Sequence, residues 1–102
     1  MYNEGEKMEE KKIEWIFSVT EVINGKTCET IYHISKKIGE KKMKVVQRRC
    51  CEGDLLWTER EYKLDTLELA KFLLQEHEDR VAIIYSLLSN ILIEKTLATL
   101  KT

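Results

Sequence analysis

The chain has 102 residues, of which 43% are hydrophobic and 34% are charged, and its formal net charge is −1. This balance is typical of one folded domain with a single core and excludes a disordered chain. The longest apolar stretch, from Val81 to Ile93, is too short for the roughly 20 residues that span a bilayer. The acidic start also lacks the apolar segment of a secretory signal. We therefore predict an intracellular, cytoplasmic protein with no membrane partner.

Residues 1–12 are rich in Glu and Lys and leave little apolar surface to bury, so we predict a solvated N-terminal arm. Residues 13–102 then form a single domain. From Ile13 to Ile34, apolar and polar residues alternate around Asn24-Gly25, the pair typical of a type I′ hairpin turn. The turn predicts three pairs on the core face: Phe17 with Tyr32, Trp15 with Ile34, and Val19 with Thr30.

The segment from Ile38 to Lys41 leads into a second predicted hairpin, whose turn lies around Glu52-Gly53-Asp54. We expect one face of this hairpin to carry Met43, Val45, Cys51, Leu56, Tyr62 and Leu64. The other face should carry Lys44, Val46, Arg48, Cys50, Leu55, Trp57, Glu59 and Glu61.

The chain contains three cysteines, Cys28 and the adjacent pair Cys50 and Cys51. An odd count without a signal sequence argues against a disulfide framework, and adjacent cysteines do not have the spacing of a zinc site. We therefore expect small, buried or half-buried thiols, with a redox or cross-linking role as the alternative.

At Asp65 the apolar period changes to that of a helix. Asp65 and Glu68 have the spacing of a capping box. The polar run from Gln75 to Arg80 predicts a break near residues 76–80, after which Asp79 could cap a second helix running to about Leu100. One unbroken helix, supported by an oligomer, is the alternative. The predicted fold is α+β: a four-stranded antiparallel sheet from two β-hairpins, followed by two C-terminal helices packed on one face.

The second helix is apolar on nearly all sides, so it must be covered on several of them. Either it inserts centrally in the domain, or part of its cover comes from another molecule. We expect the partner-binding residues to be Tyr85, Leu88, Leu92 and Ile93. The sheet edges offer a further docking route for an extended peptide. These features favour a non-enzymatic protein- or peptide-interaction module that associates with itself, with a homodimer as one form.

The alternative function is nucleic-acid binding, because basic residues cluster between residues 36 and 49. The candidate contacts are Lys41, Lys42, Lys44, Arg48, Arg49 and Trp57, which together could hold phosphates and stack a base. Glu59 and Glu61 on the adjacent strand are expected to pair with some of these cations, which would leave a solvated face.

Catalytic signals are few. The first hairpin places His33 and Cys28 on opposite faces, which disfavours a Cys-His pair, and His77 is expected to be solvated in a charged turn. No phosphate-binding loop or metal-ligand spacing is present. We predict no enzyme activity, no cofactor and no metal.

The composition is ionic and poor in amides: 13 Lys, 15 Glu, ten Ile, no Pro and only five Asn or Gln. In this respect the chain resembles the small orphan proteins of viruses that infect hyperthermophilic archaea. The resemblance implies a virus-encoded protein that works in a host cytoplasm through host or viral partners.

Overall fold

The computed structural model describes the backbone of residues 12–101 and the side chains as far as Ile93. Apart from its last residue, the predicted N-terminal arm lies outside the described residues. Four strands form one antiparallel sheet in the order β1-β2-β3-β4: β1 (Lys12–Ile23), β2 (Lys26–Lys37), β3 (Met43–Cys51) and β4 (Thr58–Leu64). Helix α1 (Thr66–Glu76), a 3₁₀ turn (Glu78–Arg80) and helix α2 (Val81–Lys101) follow. The predicted α+β fold is confirmed.

The first hairpin has the predicted register. Asn24 and Gly25 have φ angles of 52° and 81°, the left-handed pair that a two-residue type I′ turn requires. Ile23 therefore pairs with Lys26. The expected pairs on the core face are all present: Phe17 with Tyr32, Trp15 with Ile34, and Val19 with Thr30.

The core lies between one face of the sheet and the two helices. Tyr32, at the centre of β2, is fully buried and contacts three rings: Phe17 at a centroid distance of 5.3 Å, Phe72 at 6.3 Å and His77 at 5.6 Å. The other fully buried apolar side chains come from the sheet and from both helices: Ile34, Met43, Val45, Leu69, Leu73, Ile84, Ile91 and Cys28. The face of the sheet that was predicted to carry the pairs Phe17–Tyr32 and Trp15–Ile34 therefore packs against both helices.

The second hairpin departs from the prediction at its turn. Met43 pairs with Leu64 and Val45 with Tyr62, as the assigned faces require, but β4 begins only at Thr58. The Asp54 carboxylate accepts from the backbone N–H of Cys51 at 2.9 Å, which ends β3 and opens a six-residue connection. The predicted place of Leu56 on the strand face with Met43 and Val45 is therefore wrong, because Leu56 lies in this connection and its side chain is 80% exposed. Leu55 and Trp57 also lie in this connection and not on a strand face.

The expectation of free thiols is wrong for two of the three cysteines. Cys28 on β2 lies directly opposite Cys51 on β3, and the two form a disulfide. Because successive side chains of a strand point to opposite faces, the adjacent Cys50 is turned away and stays reduced. For Cys28 and Cys51 the structure therefore shows the alternative that was named, a cross-linking role.

The start of α1 and the helix break are as predicted. Asp65 Oδ1 accepts from the backbone N–H of Glu68 at 2.8 Å, and Glu68 Oε1 accepts from the backbone N–H of Asp65 at 2.9 Å. The helix ends at His77, whose φ and ψ of −130° and 50° are not helical. Asp79, expected to cap the second helix, lies inside the 3₁₀ turn that leads directly into α2.

Candidate functional site

Helix α2 buries only one stripe of its surface. Ile84, Leu88 and Ile91 are buried against the sheet. Three of the four predicted partner residues are exposed: Tyr85 by 60%, with Leu92 and Ile93 about half exposed. The fourth, Leu88, is only 9% exposed and belongs to the core. Much apolar surface of this helix is therefore left uncovered in the described part of the chain.

A groove of about 430 Å³ lies between β1 and α2. Six of its eight lining residues are apolar, and they come from the start of β1 and the middle of α2: Glu14, Trp15, Ile16, Phe17, Leu87, Asn90, Ile91 and Ile93. Glu14 is its one acidic side chain, and the pKa of Glu14 is lowered chiefly by its hydrogen bond with Lys12, whose Nζ lies 3.2 Å away. Of the predicted partner residues, the groove contains Ile93.

The β1 side of this groove is a sheet edge, since among the described strands β1 has a neighbour only on one side. In a hairpin closed by a two-residue turn, the pair next to the turn is hydrogen-bonded, and every second residue follows it. Odd-numbered residues of β1 therefore bond to β2. The backbone N–H and C=O groups of Glu14, Ile16 and Ser18 point away from the sheet, and of these three residues Glu14 and Ile16 line the groove.

Trp15, which lines the groove, carries an unsatisfied polar atom. The residue is only 7% exposed, and its indole N–H has no acceptor among the described residues. A buried donor without a partner costs about 1–3 kcal/mol, so such groups are rare in folded proteins. The nitrogen atom is itself buried, so a bound molecule could reach it only after a rearrangement of the groove.

A second polar feature, a buried chain of hydrogen bonds, joins the helix break to the sheet. Gln47 Nε2 lies 3.0 Å from Tyr32 Oη and 3.2 Å from Glu76 Oε1. A carboxylate only accepts, so the amide nitrogen donates to both oxygens. The Tyr32 hydroxyl then donates to His77 Nε2 at 2.6 Å, which leaves the His77 Nδ1–H to donate to Glu21 Oε1 at 2.6 Å. The imidazole therefore carries a hydrogen on Nδ1, facing the Glu21 carboxylate.

The expectation of a solvated His77 is wrong, because this side chain is buried. Sequence reasoning missed it because its neighbours Glu76, Glu78 and Asp79 are all exposed and charged. Burial raises the pKa of the Tyr32 hydroxyl, so the phenol stays protonated. Tyr32 and His77 are both enclosed, and their hydrogen bonds hold the helix break on the sheet.

The predicted nucleic-acid contacts do not form one basic surface. On the outer face of the sheet, Arg48 Nε binds Glu59 at 2.8 Å and Lys44 Nζ lies 3.8 Å from Glu61, the neutralisation expected from the adjacent strand. Arg49 lies on the opposite face and donates to Thr30 Oγ1 and to Glu76.

The remaining candidates of this set are also spread out. Lys42 lies 3.6 Å from Glu68 of α1. Lys41 lines a shallow depression beside Thr66 and Leu67 at the start of the same helix. Trp57 is partly exposed in the β3–β4 connection. A continuous track for a phosphate backbone is therefore not formed by these six residues.

Among the described residues, no group of three His, Cys, Asp or Glu side chains is arranged to hold a metal ion. No helix in that part of the chain is long and apolar enough to cross a membrane. Comparison with known proteins finds no match among protein-family models, curated proteins or solved structures. The candidate site is therefore defined by geometry alone: the groove, the strand edge beside it and the uncovered surface of α2.

Proposed function

We propose that this protein is a non-enzymatic interaction module that binds an extended segment of a protein partner and also associates with itself. The observation that carries the proposal is the groove between β1 and α2, which combines an apolar floor with an open strand edge. Extended peptides bind at such edges by adding a strand, where main-chain hydrogen bonds provide affinity and alternate side chains provide specificity.

The groove defines the chemistry of the segment that it would bind. A fifth strand beside β1 would exchange backbone hydrogen bonds with Glu14, Ile16 and Ser18. Every second side chain of that strand would point towards Leu87 and Ile91 of α2, so we expect apolar residues at alternate positions.

Peptide selection from a random-sequence display library on the immobilised protein tests this proposal. We expect selected peptides to share apolar residues at every second position and to bind with micromolar affinity in calorimetry. In a nuclear magnetic resonance spectrum of the same complex, the indole N–H resonance of Trp15 should shift on binding, because Trp15 lines the groove. Failure to select any such peptide, or binding that leaves this resonance unchanged, would contradict the proposal.

Ile16→Pro gives a specific test of strand addition. Proline at this position removes an outward N–H but no hydrogen bond to β2, which is the placement that edge strands tolerate. We expect peptide affinity to fall at least 10-fold. Thr20→Pro is the matched control, because Thr20 also directs its N–H outward but lies beyond the groove lining. Equal affinities for the two variants would exclude pairing at the β1 edge.

Nucleic-acid binding is the less favoured function, because Arg48 and Lys44 are already paired with Glu59 and Glu61. We expect no retention of single-stranded DNA in filter binding at low salt. Strong, salt-sensitive retention would reverse this order of preference.

We propose the cytoplasm of a hyperthermophilic host as the setting, in keeping with the ionic, amide-poor composition. Intracellular proteins of such organisms are an exception to the rule that disulfides belong to oxidising compartments, so the Cys28–Cys51 bond is compatible with this setting. A thermal unfolding midpoint above about 90 °C would support the proposal, and one in the mesophilic range of about 45–65 °C would contradict it.

A further inference from the structure

Lysine side chains cluster at one end of the outer face of the sheet, the face that points away from the core. Each of the four strands contributes one lysine to the cluster, and the β2–β3 connection contributes a fifth: Lys12, Lys37, Lys44, Lys63 and Lys42. Together with Ser35 and Glu40 they line a depression of about 240 Å³, which we call the lysine site. Among its described lining residues, five ammonium groups therefore stand against one carboxylate.

The register of the sheet sets these lysines against one another. Lys12 lies directly opposite Lys37, and Lys44 lies directly opposite Lys63. Like charges directly opposite on one face of a sheet are destabilising, whereas Arg48 on the same face lies opposite Glu59. The lysine site therefore keeps an arrangement that folding alone does not favour, and a bound anion would offset the repulsion.

The nearby carboxylates balance this charge only weakly. Three of the lysines have exposed ion pairs at 3.2–3.8 Å: Lys12 with Glu14, Lys42 with Glu68 and Lys44 with Glu61. Exposed pairs of this kind contribute little stability, so they are readily exchanged for a ligand. Within the described part of the chain, Lys63 has no ion pair.

Protection of the sheet edges does not explain the whole set. Lysine on an edge strand deters unwanted strand pairing, which is reason enough for Lys12 on β1 and Lys63 on β4. Lys37 and Lys44 lie on the two central strands, which already have a neighbour on each side. Their place in the cluster therefore calls for another reason, and binding of an anion supplies one.

The layout of the lysine site defines the ligand. Strands lie about 4.8 Å apart, so three steps across the sheet separate β1 from β4 by about 14 Å. A chain of linked phosphates lying across the strands meets one lysine on each of them, and lysine is a common phosphate-binding residue. None of the described lining residues is aromatic, so the site has no surface for stacking a base. We infer that it binds an oligophosphate anion, the chemistry shared by inorganic triphosphate and the phosphate end of a nucleotide.

Calorimetric titration of the full chain with inorganic triphosphate in about 50 mM NaCl tests this inference. We expect one triphosphate per chain with a dissociation constant below about 100 μM, and at least 10-fold weaker binding in about 500 mM NaCl, because salt screens exposed charges. A parallel titration with ATP distinguishes the two sources, since equal affinities assign the site to phosphates alone and tighter ATP binding assigns it to a nucleotide. No binding of either at 1 mM, or tighter binding of single-stranded DNA, would overturn the inference.

Lys63→Gln and Lys26→Gln separate a specific site from the general attraction of a lysine-rich chain. Each removes one positive charge from an exposed strand residue, but Lys26 lies at the other end of β2 and does not line the depression. We expect Lys63→Gln to weaken triphosphate binding at least 5-fold and Lys26→Gln to weaken it less than 2-fold. Equal losses in the two variants would overturn the inference.

Thermal unfolding of the same variants separates a binding role from a structural one. Lys63→Gln removes one member of a like-charge pair, so without phosphate we expect it to melt no lower than the parent protein. Triphosphate at 1 mM should raise the melting temperature of the parent more than that of Lys63→Gln. A variant that melts well below the parent without phosphate would show that Lys63 stabilises the fold, which would overturn the inference. The lysine site shares no lining residue with the groove, so peptide binding decides the proposed function separately.

Discussion

Replacing Tyr32 by Phe removes one oxygen atom from the buried hydrogen-bond chain while keeping the ring. That oxygen accepts from Gln47 Nε2 and donates to His77 Nε2, and both partners are buried. Phenylalanine preserves the stacking with Phe17 and Phe72, so the change isolates the polar contribution.

The expected cost follows from the groups left without partners. A buried polar group that loses its partner costs about 1–3 kcal/mol. His77 Nε2 loses its donor completely, while Gln47 keeps its bond to Glu76 at 3.2 Å. We therefore expect Tyr32→Phe to lower the free energy of unfolding by about 1–3 kcal/mol. For a domain of this size the melting temperature should fall by about 4–24 °C.

Urea unfolding followed by circular dichroism measures this cost, with an unchanged m-value showing that the transition is comparable. Tyr62→Phe is the matched control, because Tyr62 contacts the same Phe72 ring but is only half-buried, whereas Tyr32 is fully buried. The control should change stability by less than about 0.5 kcal/mol. Nitrogen-15 shifts of His77 should show the Nδ1–H tautomer in the parent protein. Equal stability of the two variants, or the Nε2–H tautomer, would refute the assigned hydrogen-bond chain.

Three further predictions concern the disulfide, the alkaline limit of stability and the helix cap. Replacing Cys28 and Cys51 by Ala should lower the free energy of unfolding by about 3 kcal/mol, because the disulfide no longer restricts the unfolded chain. Cys50→Ser is the control and should leave stability unchanged. A thiol assay of the unfolded parent chain should find one free thiol. Burial raises the pKa of Tyr32, so the folded state keeps a proton that the unfolded chain releases near pH 10. The stability that this group contributes is therefore complete below pH 10 and declines above it. The decline should reach about 1.4 kcal/mol per pH unit, and its persistence in Tyr32→Phe would assign it to another group. Asp65→Ala should cost about 1 kcal/mol in urea unfolding, and a change within error would mean that the capping box adds nothing.

Interactions within a few residues of one another were predictable, because both partners are visible in one short segment. Asn24-Gly25 defines its turn by backbone sterics alone, and the register of β1 against β2 follows by counting. The Asp65 cap and the end of α1 near residue 76 likewise depend only on neighbouring residues. The ion pairs of β3 with β4 also follow from strand alternation.

The three-dimensional arrangement alone decided the features that join distant segments. The disulfide depends on the alignment of β2 with β3, since a shift of one residue would turn Cys51 to the other face. His77 is buried because Glu21, 56 residues earlier, and Tyr32 converge on it from the sheet, and no local pattern reports such a meeting. The sequence determined which elements form and which of their faces are apolar, since those depend on propensity and period. Packing of the helices on the sheet decided which apolar surfaces of the described residues, the groove and the outward side of α2, stay exposed.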